Sequence, residues 1–530
     1  MFRFCSRILF FALSGALVSV CASAATYPHP YRHVSHMRPR TLDETIQDIL
    51  SEPELARAHW GISVVTMEGQ SVYSLHAKEM FAPASNAKLF TTAATLALIP
   101  ADAHWVTRAV TSGVLEQNGV LKGNLVLLGS GDPTMSGREY PWNGRTERPY
   151  PPLQALQQMA DQIVQAGVRR IDGKVLGDDT WFPFERYGNN WSWNDLQWDY
   201  GAPASALTVN DNVTFLNVMP SPGADSRSTQ VTWNPDVPYY NVENSLTVAP
   251  YDRYARAGID RPLGSRTVRL FGTINRFGLH DALAINDPAK FASIALRQML
   301  LARGVTITGK AEAWHREPTD TEDFREEVDQ PVVLHPLHIT TLAPPDTGLH
   351  VLATHVSPPL AEDVTVTNKV SQNLHAELYL RLLGRLEGSD GSIAQGARVV
   401  RQFAINAGVN PNGFLFFDGS GLSPDDEVAP RAITTLLVYA AHQPWGKLYR
   451  STFPIAGVDG TLAARFHDGM VRRVFAKTGT LEEVNSLSGY LIARSGRTLV
   501  FSVLCNGRQP DNDDSLHAID RIVTAIADAN

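Results

Sequence analysis

The spacing of apolar residues changes along this 530-residue chain, and the changes mark its organisation. Ile62 to Met67 and Ser71 to His76 are β-rich runs on either side of Glu68-Gly69-Gln70, which predicts a hairpin. Pro83 then precedes Ser85, and Ala87 to Ile99 is a run of helix formers with helical apolar spacing, so Ser85 falls at a helix N-terminus. From 106 to 344 the pattern breaks into short strand-like runs among Gly and Pro turns, with a helix over 153 to 166 stopped at Gly167. Leu342 to Gly348, with Pro344 and Pro345, reads as a junction. Helical periodicity returns after 360, in Thr367 to Leu383, interrupted or begun near Ser371-Gln372-Asn373, and in Ala432 to His442. Phe475 to Thr480, Leu487 to Ala493 and Thr498 to Leu504 read as strands, and a helix with apolar positions Leu516, Ile519, Ile522, Val523 and Ile526 closes the chain.

Strands at both ends and helices between them predict an α/β (α+β) sandwich around one antiparallel sheet, whose first and last segments pair. The expected organisation is 25–105 and 345–530 as one discontinuous domain, with 106–344 as an inserted, β-rich accessory region of two small domains. Residues 1–24 have the pattern of a signal peptide. Arg3 and Arg7 precede the apolar run Ile8 to Val20, and Ala22-Ser23-Ala24 offers a small-x-small cleavage site. Export to the periplasm is therefore expected. Residues 25 to 40 read as a flexible arm, whose His29, His33 and His36 lack the partners of a metal site.

Composition narrows the function classes. Charged residues make up 19% and hydrophobic ones 44%, with a net charge of -8 and no basic block, so nucleic acid is excluded as an expected partner. After export only Cys505 would remain, in an apolar strand, so no internal disulfide is expected. The C-terminal helix has only Arg521 as a basic residue, and reads as a core helix with at most peripheral membrane contact.

Three short words carry the chemistry: Ser85-Asn86-Ala87-Lys88, Ser371-Gln372-Asn373 and Lys477-Thr478-Gly479-Thr480. By composition S-x-x-K arises roughly once by chance in a chain this long, and K-T-G in about one such chain in ten. The ordered set, each word in a fitting local context, is the signature of serine acyl transfer built on lysines. Ser85 and Lys88 are three apart on a helix and share a face. Lys88 can act as base only when neutral. Bringing a lysine pKa of about 10.4 down to neutral pH requires ~4 kcal/mol. Burial supplies part, and Lys477 at ~6 Å would add ~2.8 kcal/mol of repulsion at an effective dielectric of 20. Ser371 can relay a proton to a leaving amine, and Asn373 can meet a substrate amide. Thr478 and Thr480 can hold a carboxylate beside Gly479, and the N–H groups of Ser85 and Thr480 are the candidate oxyanion hole. No metal or other cofactor is implied. The substrate so defined is an amide whose leaving group is an amino acid with a free carboxylate.

The chain resembles the class C low-molecular-mass penicillin-binding proteins, which comprise exported D-alanyl-D-alanine carboxypeptidases and endopeptidases. Beyond the three words, the resemblance rests on Phe416-Phe417-Asp418-Gly419-Ser420-Gly421-Leu422-Ser423, on Phe453 to Leu462, and on Trp191 to Asp195 with Tyr200 to Leu207. It implies a penicilloyl-serine-transferase (DD-peptidase/β-lactamase-like) fold, with an antiparallel sheet flanked by helices. It also implies Ser85 as acylated nucleophile, with Lys88, Ser371, Asn373 and Lys477 completing the site. Peptidoglycan stem peptides and β-lactam antibiotics are the implied partners; the oligomeric state stays open. One departure is that Pro424, Asp425 and Asp426 follow Gly-Leu-Ser where the family often has an arginine. Asp178 and Asp179 lie where the family can place an acid toward the substrate's amine, or in a solvated turn. The aromatic cluster from Trp181 to Tyr200 reads as pinning a long loop, Asp132 as structural, and His355 and His375 as ordinary histidines without ligand partners. The competing readings are a β-lactamase or esterase on the same fold and a non-catalytic wall-binding protein.

Overall fold

A computed structural model describes residues 40–530, apart from 147, 223–226, 320–322, 346–347, 468 and 511. The expected signal peptide and histidine arm lie outside the described residues. The central sheet has five antiparallel strands in the order Ser71–Leu75, His59–Thr66, Thr498–Asn506, Val484–Ile492 and Val474–Leu481. Its middle joins the two ends of the chain: Ile62 pairs with Val503 and Val64 with Phe501.

Strand periodicity explains why this sheet is covered on both faces. Along Thr498–Asn506, Leu499, Phe501, Val503 and Cys505 face a core shared with helices Leu42–Leu50 and Asp514–Ala529. Val500 and Leu504 face the opposite core, with Phe90, Leu378, Val400 and Leu437 from helices Lys88–Leu98, Asn373–Leu386, Ile393–Asn406 and Pro430–Ala441. Ile519, Ile522, Val523 and Ile526 of the last helix are fully buried, so its apolar stripe is a core face. Cys505 is buried too, and burial pushes its thiol up to about 12, which leaves a packed, unreactive group. Among the described residues no helix is long and apolar enough to cross a membrane.

Between the hairpin and the later helices lies a second, six-stranded sheet. Strand His104–Thr111 is flanked by Leu125–Leu128 on one side and by Thr341–Leu342 and His350–Val356 on the other. Helices Gln154–Gln165 and Pro288–Ala302 share its core. A smaller apolar core joins Leu216 and Val218 to Val268, Leu270 and Leu283. The helix expected over Thr367 to Leu383 is interrupted at the S-x-N word, giving Leu360–Val370 and Asn373–Leu386. Ser371 ends the first in a left-handed conformation (φ 61°), and Gln372 caps the second by accepting from the Leu374 N–H. Across that break the Ser371 side chain meets Lys477 on the last sheet strand and the Asn373 side chain meets Lys88.

Candidate active site

The three sequence words meet through a chain of short hydrogen bonds. Ala84–Ala87 forms a tight helical turn leading into Lys88–Leu98, so Ser85 and Lys88 lie on one face. Lys88 Nζ is 2.8 Å from Ser85 Oγ and donates to Asn373 Oδ1 (2.6 Å) and to the Ser420 carbonyl (2.7 Å). Lys477 Nζ donates to Ser371 Oγ (2.7 Å) and to the Thr478 carbonyl (2.7 Å). Both lysines are fully buried. Asn86 sits behind them and donates to the Lys477 carbonyl (3.1 Å) and Ser486 Oγ (2.8 Å), joining the helix start to the sheet.

Gly479 makes the close approach of helix and strand sterically possible. A Cβ at this position would lie 2.2 Å from Ser486 Oγ, 2.7 Å from the Pro83 carbonyl and 3.0 Å from the Ser85 nitrogen. Gly421 plays the same part from the other side, with φ +79° and a virtual Cβ 1.9 Å from the Ala84 carbonyl.

Burial lowers Lys88 most, while Asp418, Glu377 and Asp426 oppose it; the outcome is about 7. Lys477 is held well below the usual lysine range by burial and then by repulsion from Lys88. Three acids oppose the lowering of Lys88, whereas Lys477 has no acid among the groups that shift it. Asn373 Oδ1 and the Ser420 carbonyl can only accept, so each takes one Lys88 hydrogen. Toward Ser85 Oγ the charged amine presents its third hydrogen and the neutral amine its lone pair.

On the K-T-G strand, Thr478 donates to Thr461 Oγ1 (2.7 Å) and Thr480 to Asn485 Oδ1 (3.2 Å). Both threonines lie on the same face, but each hydroxyl has a protein partner. Thr461 is brought in by Asp459, which is gripped by Lys369 Nζ at 2.8 and 2.6 Å and accepts from the Ile455 N–H (2.9 Å). Sequence reasoning missed both Thr461 and the Lys369–Asp459 pair, although Asp459 and Thr461 lie in a stretch quoted for the family resemblance.

The region between the words also reaches the site. Asn373 Nδ2 donates to the Tyr200 carbonyl (2.8 Å), and Trp191 Nε1 donates to Asp418 Oδ2 (2.8 Å). Asp418 also accepts from the N–H groups of Ser420, Gly421 and Ser423, and so shapes the loop whose carbonyl meets Lys88. Of the aromatic cluster, Trp181, Phe182 and Trp191 are buried, whereas Trp193 is exposed. The departure after Gly-Leu-Ser has a structural account. Asn190 donates to Asp425, while Asp426 is fully buried, with its carboxyl raised well above the usual range by burial and then by Asp418.

Three expectations are corrected. Asp178 and Asp179 lie on strand Val175–Pro183, not in a turn. Asp178 accepts from the Thr180 N–H, and Asp179 accepts from Ser205 Oγ and faces His315 Nδ1 at 2.9 Å. His375 has partners: it is fully buried between Asp211 (3.4 Å) and Asp363 (3.0 Å). His355 Nε2 is 3.5 Å from the buried Asp132. Asp211 also meets Arg138 (2.7 Å), Arg148 (3.0 Å) and, from the S-x-N word itself, Gln372 Nε2 (3.0 Å). Exposed His59, His76 and Glu79 are close enough to one another to share a cation.

The fold and the three assembled words define a serine peptidase of the class C low-molecular-mass penicillin-binding protein type. The chain belongs to the D-Ala-D-Ala carboxypeptidase 3 (S13) family, which it matches over residues 42–327 and 321–529. It is 30% identical over 479 residues to a D-alanyl-D-alanine carboxypeptidase of Actinomadura sp. (strain R39), covering 88% of this chain and 81% of that protein. It is 24% identical over 459 residues to the D-alanyl-D-alanine carboxypeptidase DacB of Haemophilus influenzae, covering 83% of each. The crystal structure of penicillin binding protein 4 (dacB) from Haemophilus influenzae superposes with a TM-score of 0.73 at 22% identity, over 91% of this chain and 98% of that one.

Proposed function

We propose that this D-Ala-D-Ala carboxypeptidase works through an acyl-enzyme on Ser85. The observation that carries the reading is the placement of Lys88 Nζ at 2.8 Å from Ser85 Oγ while Asn373 Oδ1 and the Ser420 carbonyl occupy its hydrogens. Lys88 takes the Ser85 proton as Oγ attacks the carbonyl of the penultimate D-alanine. The N–H groups of Ser85 and Thr480 receive the developing oxyanion. Ser371, bonded to Lys477 at 2.7 Å, passes the proton to the leaving amine. The substrate carboxylate takes the place of the protein partners of Thr478 and Thr480, in the field of Lys477. Asn373 holds the substrate amide. Water then clears the acyl group by the same base.

By the same route β-lactams acylate Ser85, and the solved DacB complex with a β-lactam is in keeping with this. The proposal extends to D-alanyl cross-links of peptidoglycan as a second substrate, and to export into the periplasm after removal of residues 1–24. It also takes 25–105 and 345–530 as the catalytic domain and 106–344 as the accessory region, with strand His350–Val356 completing the accessory sheet.

The test is D-alanine release from a short soluble peptide ending in D-Ala-D-Ala. Ser85→Ala is expected to lose about 10⁶-fold in rate, as for nucleophile removal in other serine peptidases. Unchanged release in that variant contradicts the reading. Rapid turnover of a penicillin, instead of a long-lived adduct, would favour a β-lactamase.

A further inference from the structure

The accessory region holds a cleft of about 580 Å3 that the reaction at Ser85 does not use. Its walls come from separate elements: Phe184 and Arg186 after strand Val175–Pro183, Tyr239 and Arg266 from loops, Lys290 from helix Pro288–Ala302, and His315 from strand Ala311–Arg316. A charge inventory of the cleft is unequal. Asp287 faces His315 at 3.6 Å, and Glu312 is paired with Lys174 at 2.8 Å. Arg186 donates to the Asn286 carbonyl (2.9 Å) and lies over the Phe184 ring, while Arg266 lies over the Tyr239 ring. Among the described residues neither arginine, nor Lys290, has a carboxylate within 4.0 Å; Lys290 donates to the Ala311 carbonyl. His315, stacked on Phe184 with ring centroids 3.9 Å apart, is itself held protonated by Asp179 and Asp287 against the lowering effect of burial, at about 10.

Guanidinium groups that lie over aromatic rings without a carboxylate partner keep N–H donors for a planar anion. The terminus of helix Pro288–Ala302 adds nothing here, because the Asp287 side chain already caps it by accepting from the Lys290 N–H (2.9 Å). Cleft and catalytic site share one stretch of chain. Arg186 accepts at its carbonyl from the Ala204 N–H (2.8 Å), and between them lie Trp191, bonded to Asp418, and Tyr200, whose carbonyl meets Asn373. The cationic cleft and the contacts to Asn373 and Asp418 are thus carried by one segment, 186–204.

We propose that the cleft bounded by Arg186, Arg266 and Lys290 is a second substrate subsite that binds carboxylate groups of the peptidoglycan polymer outside the scissile peptide. This rests on peptidoglycan being the substrate, as proposed above. The subsite raises affinity for the polymer by linking two contacts, while a short peptide that fills only the catalytic site gains nothing from it.

The experiment measures co-sedimentation of full-length Ser85→Ala protein with purified peptidoglycan at low salt, with and without Arg186→Gln plus Arg266→Gln. A second arm uses peptidoglycan whose carboxylates have been converted to amides. The expected result is at least about tenfold weaker binding for the double variant, and equal, weak binding of both proteins to the amidated polymer. In the Ser85 background the double variant releases D-alanine from the short peptide at the parent rate. Undiminished sedimentation of the double variant overturns the subsite. Binding that survives amidation but is displaced by a phosphodiester polymer overturns the assignment to carboxylates. Failure of short-peptide hydrolysis in the parent is a different result, and counts against the proposed reaction instead.

Discussion

Lys88→Met is expected to slow acylation of Ser85 by about 10²–10⁴-fold, the usual contribution of a positioned general base. Methionine preserves length and packing, so folding should survive and the loss should appear in kcat with a D-Ala-D-Ala peptide. The pH profile gives the second half of this prediction. Lys88 is lowered to about 7, first by burial, so it is charged below that pH and neutral above it. Wild-type acylation should therefore rise as pH passes upward through about 7. Lys88→Met should lose that rise. A variant that keeps both the wild-type rate and the rise shows that another group takes the proton. Lys477 is the obvious alternative, being also well below the lysine range. Its hydrogen-bonded partner is Ser371, however, and not the nucleophile.

Asp211→Ala is expected to destabilise the protein by about 3–5 kcal/mol, the usual result of removing one partner of a buried charge network. The carboxylate is almost wholly buried, and its loss would strand Arg138, Arg148 and His375 at once. Burial by itself would raise Asp211; Arg138 and Arg148, with His375, reverse this and hold it well below the usual range. Its stabilisation is thus present above the unfolded carboxylate pKa and disappears as pH falls through the folded one. His375 has the opposite sign. Burial lowers it, but Asp363 and Asp211 raise it further, to about 9. Its contribution is complete below the unfolded value of about 6.5, and is lost as pH rises through about 9. Urea midpoints for wild type and Asp211→Ala should differ most in mildly acidic solution, narrow by the His375 share alone as pH rises through about 9, and stay apart beyond it because Arg138 and Arg148 remain charged. A difference of less than about 1 kcal/mol at every pH would mean that Asp211 is not the anchor described. Because Gln372 also leans on Asp211, the variant should lose acylation rate even where it remains folded.

The three words were legible because each occupies a locally determined element. S-x-x-K needs only a helix start, and K-T-G only an alternating strand. The pairing of the chain's ends followed from strand runs at both termini. What the sequence concealed were polar contacts between residues far apart along the chain. Gln372 and Asp211 are 161 residues apart, and Trp191 and Asp418 are 227 apart. No periodicity links such residues, so His375 looked ordinary until two carboxylates stood beside it. A break near the S-x-N word was expected, but its form was not legible: the left-handed turn at Ser371 leaves no compositional mark, because serine gives no warning of a positive φ as glycine does. Electrostatics suffered similarly. The acids that oppose the lowering of Lys88 come from Glu377, Asp418 and Asp426, which only folding brings beneath it.

The account depends above all on Ser85 being the atom donor in the covalent step. Intact-protein mass spectrometry after brief exposure to benzylpenicillin, followed by peptide mapping, tests this directly. The predicted result is a single, slowly released penicilloyl adduct on the peptide containing Ser85, absent from Ser85→Ala. An adduct on Ser371 or any other residue, or one that persists in Ser85→Ala, contradicts it.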